Sequence, residues 1–399
     1  MGNQSDDLLL NGCPTGQLER TLRDRFERSD CRGWDPYDAL NIGIPWTRRL
    51  DRPRLLLLTH VVRISPVNLR PTLRIVKSYN SKAMALILSA LMIWEDLDKG
   101  VDWNDIEFVK NWVLDNRSGT YPEYSLGFTF DIVLQNYRSS KGAPSLIITL
   151  FAVYALMAYY KRTKETRVLE EILSFKRLVE TRLPCHENEE TVWYSYNFEK
   201  TNEIYNATAK VGKFYALLHD MISSDELRGR IERILQYLLK KQRPDGSWPY
   251  GETIRYTDGF HTAFVLEAIW HMLKVVDGHE YEEMFERGLQ HYKAYLFKAN
   301  GQPLYFHPMY KPRDVRRFLI ETDIRDCAMA IVLFAKIGDV ERARQVLDWT
   351  LKHMYDQKRG YFYYYKNRVW TNKIEFIRWQ AWMLYALARL KEAGGSHRA

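Results

Sequence analysis

The chemistry-bearing side chains of this sequence gather between Gln242 and His271, which reads QRPDGSWPYGETIRYTDGFHTAFVLEAIWH. Asp258 and His261 stand three residues apart where a glycine-punctuated loop becomes an apolar helix. Both therefore sit at a helix start, beside free backbone N–H groups and the positive end of the helix dipole. A carboxylate and an imidazole so placed are suited to acid–base work. Trp248, Tyr250 and Glu252 lie in the preceding loop and offer rings and a charge for gripping a ligand.

Other candidates stand at the starts of neighbouring apolar helices: Tyr194, Tyr196 and Asn206, then Asp323, Arg325 and Asp326, then Arg378 and Trp379. Cleaving a glycoside by hydrolysis needs two carboxyl groups flanking the bond, and Asp258 with Asp323 or Asp326 can furnish them. Elimination or epimerisation at a uronate needs a base, an acid and a group that neutralises the carboxylate. Asn206, His261, Arg378 and Tyr194 or Tyr196 resemble the Asn, His, Arg and Tyr sets of α/α-toroid lyases. Trp248, Tyr250 and Trp379 are expected as stacking platforms, although each ring also suits a core. Asp258 and Asp323 are equally favoured as helix caps. Lys311, Arg313, Arg316 and Arg317 form the densest basic patch.

The elements that must position these residues repeat. Helices that are apolar on nearly every side begin near 80, 145, 203, 260, 323 and 373, 50 to 65 residues apart. Each of the first five is followed by a short turn and a one-sided amphipathic helix. That is a repeat of helical hairpins, with the apolar set inside and the amphipathic set outside. The reading is all-α: an (α/α)6 toroid over residues 80–392, an N-terminal segment 1–79 that packs on the ring and completes it, and a disordered tail at 393–399. The connections between hairpins are long and all fall at one end of the ring, where function is expected.

Composition narrows the function classes. A hydrophobic share of 46% is ample for one large core, and 26 Tyr with 12 Trp suggest an aromatic-lined cavity. The net charge of +8 favours an anionic partner, but no zinc-finger, Rossmann, P-loop or RNA-binding pattern occurs, so no nucleic-acid partner is expected. No metal site and no cofactor are expected. Cys13, Cys31, Cys185 and Cys327 are too scattered for a metal or redox site and read as reduced thiols in a cytoplasmic protein. Leu146 to Tyr160 is too short and too promptly followed by Lys161 and Arg162 to span a membrane, so no integral membrane segment is expected. Oligomeric state is not legible.

Two resemblances follow from the motifs. Tyr205-Asn206-Ala207, Asp245 to Gly251, and Asp258 with Phe260, His261 and Thr262 resemble the central segment of proteins in the six-hairpin glycosidase and polysaccharide-lyase group. That likeness implies the toroid and an activity on an acidic, uronate-containing polysaccharide or oligosaccharide, by hydrolase or lyase cleavage or by epimerisation. Gln242, Gly246 and Trp248 are similar to the Q-x-x-x-G-x-W turn of terpenoid cyclase and prenyltransferase toroids. No D-x-D-D or D-D-x-x-D motif accompanies the turn, so isoprenoid chemistry is the alternative. A non-catalytic toroid that holds a glycan or a protein is the third reading.

Overall fold

In a computed structural model, which describes residues 9–10, 13–42, 51–98, 100–134, 137–312 and 320–396, the apolar helices close a ring. Helices α1 (Thr15–Arg28) and α2 (Arg52–Ile64) precede five hairpins. These are α3 (Ser81–Asp98) with α4 (Trp103–Asp115), α5 (Leu146–Thr163) with α6 (Thr166–Thr181), and α7 (Tyr205–Ile222) with α8 (Asp225–Lys241). There follow α9 (Gly259–Met272) with α10 (His279–Tyr295), and α11 (Ile324–Lys336) with α12 (Val340–Met354). Helix α13 (Ile377–Ser396) ends the described chain.

Each odd-numbered helix from α3 to α13 packs on the next, and α13 returns to α3. The even-numbered helices α4 to α12 back their hairpin partners, and α1 lies against α13 as the sixth outer helix. The fold is an all-α (α/α)6 toroid. Sequence pattern accounts for the layering. Helix α5 buries twelve of its residues, as an element packed on all sides must. Helix α8 buries a single stripe, Leu227, Ile231, Ile234, Leu235 and Leu238, with charge on the face left over.

All inner helices start at the same end, the mouth, where the described parts of the long connections carry short antiparallel ribbons. Cys185–Glu187 pairs with Val192–Tyr194, and Tyr365–Lys366 lies between Thr322–Asp323 and Thr371–Asn372. Residues 33–42 and Arg70 lie across the starts of α13 and α3. The Ile377 N–H donates to the Trp34 carbonyl at 3.0 Å, and the Arg70 guanidinium sits over the Phe376 ring.

The Gln242 turn is a structural clamp. The Gln242 side-chain amide donates to the Gly246 and Met284 carbonyls at 3.0 and 2.8 Å, tying the end of α8 to α10. Gly246 has φ +85°, and a Cβ there would lie 2.5 Å from the Arg287 carbonyl oxygen. Both penalties act at once in Gly246→Ala, which is expected to lower the unfolding free energy by about 2–4 kcal/mol in urea titrations.

Candidate functional site

Asp258 caps α9 in extended backbone, and its Oδ1 accepts the His261 N–H at 2.7 Å. The same carboxylate meets the His261 ring: Nδ1 lies 2.9 Å from Oδ1 and 2.8 Å from Oδ2. Asp258 is buried, whereas the imidazole keeps a quarter of its surface. An Asp on Nδ1 places the proton there and leaves Nε2 as a free lone pair, the arrangement of an oriented base. Nε2 has no partner among the described residues. Tyr250 packs edge-on against the ring at 4.6 Å, and Tyr256 lies 5.3 Å from Tyr250. Asn206, on the first turn of α7, shares a crevice of about 10 Å³ with Tyr250, Asp258 and His261, and its Nδ2 has no hydrogen-bond partner.

The loop holding this pair is fixed by a second histidine. The His307 N–H donates to the Thr257 carbonyl, and His307 Nδ1 accepts the Met309 and Tyr310 N–H groups at 3.1 and 3.2 Å. Burial lowers its pKa to about 4, helped by the stacked His291, whose own pKa burial also lowers. A base depressed on folding contributes stability that is complete above its unfolded value of 6.5 and is lost as pH falls through 4. The expected result is a loss of stability concentrated between pH 6.5 and 4. Urea midpoints measured between pH 7 and 4 should drop less in His307→Asn, whose amide oxygen accepts without titrating.

The structure separates the other candidates. Asp323 caps α11 and holds Arg325 through two hydrogen bonds of 2.9 Å, so its charge is already matched. Asp326 closes a capping box by accepting the Asp323 N–H. Its other oxygen is buried without a partner, and burial, with Asp323 and Asp258 nearby, raises its pKa well above the carboxylate range. An enclosed Asp326 with one oxygen held in the cap, and an Asp323 occupied by Arg325, do not make a free carboxyl pair with Asp258. Tyr194 is buried between α7 and α8, its hydroxyl against Tyr215 and Arg230, and the fold does not bring it to the dyad. Tyr196 is half-buried in the next loop, close enough to Tyr250 to raise its pKa, though burial is the larger cause. Glu252 is engaged by the Tyr205 hydroxyl at 2.7 Å and the Lys241 ammonium at 2.8 Å.

Trp248 is a core residue: its indole N–H donates to the Leu238 carbonyl, and its ring occupies the space beside Gly288. Trp379 is buried too, with the Arg325 and Arg378 guanidiniums 4.8 and 4.4 Å from its ring centroid. Arg378 pairs with Asp35 at 2.9 Å. Lys311 is exposed, while Arg313, Arg316 and Arg317 lie outside the described residues.

Sequence reasoning passed over Asp35 and Tyr37 in the N-terminal segment, and Lys82 and Lys210. A signal existed for the lysines. Lys82 is a lone charge in SKAMALILSALMIW, and Lys210 follows YNATA on a helix otherwise suited to burial. No metal-holding group of His, Cys, Asp and Glu occurs among the described residues, nor any helix long and apolar enough to cross a membrane.

Solved structures with this architecture are numerous. Cellobiose 2-epimerase from Bacillus thermoamylovorans superposes with a TM-score of 0.63 at 14% identity, over 94% of this chain and 99% of the other. The GH76A α-1,6-mannanase of Salegentibacter matches at 0.60 and 10% identity, over 95% and 99%. A glycosyl hydrolase family 88 protein from Bacteroides vulgatus matches at 0.52 and 12%, over 78% and 92%. The chain has the six-hairpin toroid of these proteins. No protein-family model and no curated protein sequence matches it. At such identities it is the ring and its mouth that are shared, and the residues described above are this chain's own.

Proposed function

We propose that this protein is an enzyme acting on a saccharide at the toroid mouth, by removing a proton from carbon with His261 as the base. The substrate class is an acidic, uronate-containing oligosaccharide or polysaccharide, and the reaction an epimerisation or elimination. The observation that carries this reading is the Asp258–His261 pair: a buried carboxylate on Nδ1 and an unpartnered Nε2 at the edge of an aromatic crevice. Support for a sugar comes from the epimerase, mannanase and glycosyl hydrolase that share the fold. Hydrolysis has less support, because Asp323 is matched by Arg325 and Asp326 is enclosed. The positive net charge and three unpaired cysteines, Cys31, Cys185 and Cys327, fit an acidic ligand and a reducing cytoplasm.

Incubation with uronate-terminated and neutral oligosaccharides in deuterium oxide tests the reading. Epimerisation places deuterium on carbon in recovered sugar, and elimination gives the ultraviolet absorbance of an unsaturated uronate. New reducing ends with neither carbon-bound deuterium nor that absorbance would replace the proposal by hydrolysis.

A further inference from the structure

Directly below the mouth, the axis of the ring holds donors with nothing to donate to. Lys210 is 1% exposed, and its ammonium nitrogen has no hydrogen-bond partner. That nitrogen lies 3.2 Å from the Phe264 ring centroid and 4.4 Å from that of Phe151. Lys82, from the first turn of α3, lies 4.2 Å from the Phe151 centroid and 5.2 Å from that of Trp382, and among the described residues no hydrogen bond or ion pair engages it. The Trp382 indole N–H, fully buried in contact with Phe151 and Phe264, is likewise unpaired. Donors from three inner helices thus surround the same two phenyl rings, and none of these groups is an acceptor.

Buried polar groups in folded proteins are nearly always satisfied, so a cluster of orphaned donors calls for an acceptor that the chain does not provide. Ring faces are a weak substitute. A cation over an aromatic ring gains about 2 kcal/mol when desolvated, against a penalty of several kcal/mol for burying an ammonium ion.

We propose that Lys82, Lys210 and the Trp382 N–H form an anion site on the toroid axis, which takes one carboxylate or a comparable small monoanion. The site stands whether or not His261 acts as a base. Its lysines differ from the mouth arginines, whose charges are answered by Asp323 and Asp35. Burial lowers both lysine pKa values well below the ordinary value. Around Lys82, the cations Lys210, Arg378 and Arg325 add to that effect and Asp35 opposes it. Around Lys210, Lys213 and Lys336 add to it and Glu267 opposes it. An anion favours the protonated amines that burial disfavours, so its binding is linked to proton uptake and its affinity falls as pH rises.

Calorimetric titration of the full chain with sodium glucuronate, acetate and chloride, and with glucose as the neutral control, tests this in two chloride-free buffers of contrasting ionisation enthalpy. The expected result is saturable binding of one anion with proton uptake, weakening as pH rises. Glucuronate alone binding identifies the sugar's own carboxylate as the occupant, whereas acetate or chloride binding as well identifies a free anion. Lys82→Met and Lys210→Met should each weaken binding at least about tenfold. Lys210→Met should also raise the melting temperature, since it removes an orphaned amine. Trp382→Phe, which keeps the ring and loses the N–H, should weaken binding severalfold and provides the test if a lysine variant does not fold. No saturable anion binding by folded wild type, or binding unchanged in the variants, overturns the site. Deuterium exchange lost while anion binding persists counts against the proton-transfer reading alone.

Discussion

Replacing His261 by Ala is expected to lower kcat about 10²–10⁴-fold with the fold intact, the range contributed by a positioned general base. The more informative partner is Asp258→Asn. Asn caps helices as well as Asp, so the start of α9 should keep its stability to within a few tenths of a kcal/mol. What the amide cannot supply is a carboxylate on His261 Nδ1. A donor amide there favours the tautomer whose proton sits on Nε2, which removes the lone pair aimed at the mouth. Activity should therefore drop by orders of magnitude in a variant whose urea midpoint matches wild type. A purely structural Asp258 predicts the opposite: unchanged turnover in Asp258→Asn. Rates of deuterium incorporation into sugar, measured beside urea curves, separate the two.

Glu267→Gln should be the most damaging single change to stability. Glu267 is 3% exposed on the inner face of α9, 2.6 Å from the Lys213 ammonium and in contact with Lys336 and His271. Burial opposes its ionisation, yet Lys213 and Lys336 outweigh that effect and hold its pKa well below the usual range. Lys336 itself is brought down to about 8 by burial. Removing the one negative charge leaves buried cations facing one another, a defect that costs about 3–5 kcal/mol. Glu267→Gln combined with Lys336→Met should recover part of that loss. Denaturant unfolding of the single and double variants measures it, and a loss below about 1 kcal/mol would show that the lysines find other partners or deprotonate freely.

Much of the architecture is legible along the chain because burial on every side and burial on one side leave different patterns. The run Leu146 to Tyr160 reads as an inner helix from its lack of charge, and it is one. The α8 stripe reads as an outer helix for the complementary reason. Boundaries were less legible: the last helix begins at Ile377, after the ribbon that ends in Thr371–Asn372, and not near 373. The backbone of 371–376 is committed instead to Tyr364 and to the Asn372 side chain. Aromatic side chains were the least readable. Trp248 and Trp379 look like ligand platforms in sequence, yet they fill gaps between rings of helices, because a large ring with one polar atom suits a close-packed curved interface as well as a ligand.

By itself the sequence determined the ring of hairpins, the end at which its long connections gather, and the placement of Asp258 and His261 at one helix entry. All three rest on local relationships: periodicity within a helix, loop length, and two residues on one turn. Only the tertiary structure decided which charges remain available. Asp35 reaches Arg378 across most of the chain's length, and Lys82 and Lys210 meet around Phe151 and Phe264 from separate helices. Whether a charge is answered depends on partners brought close by ring closure, and closure joins residues that no sequence spacing relates.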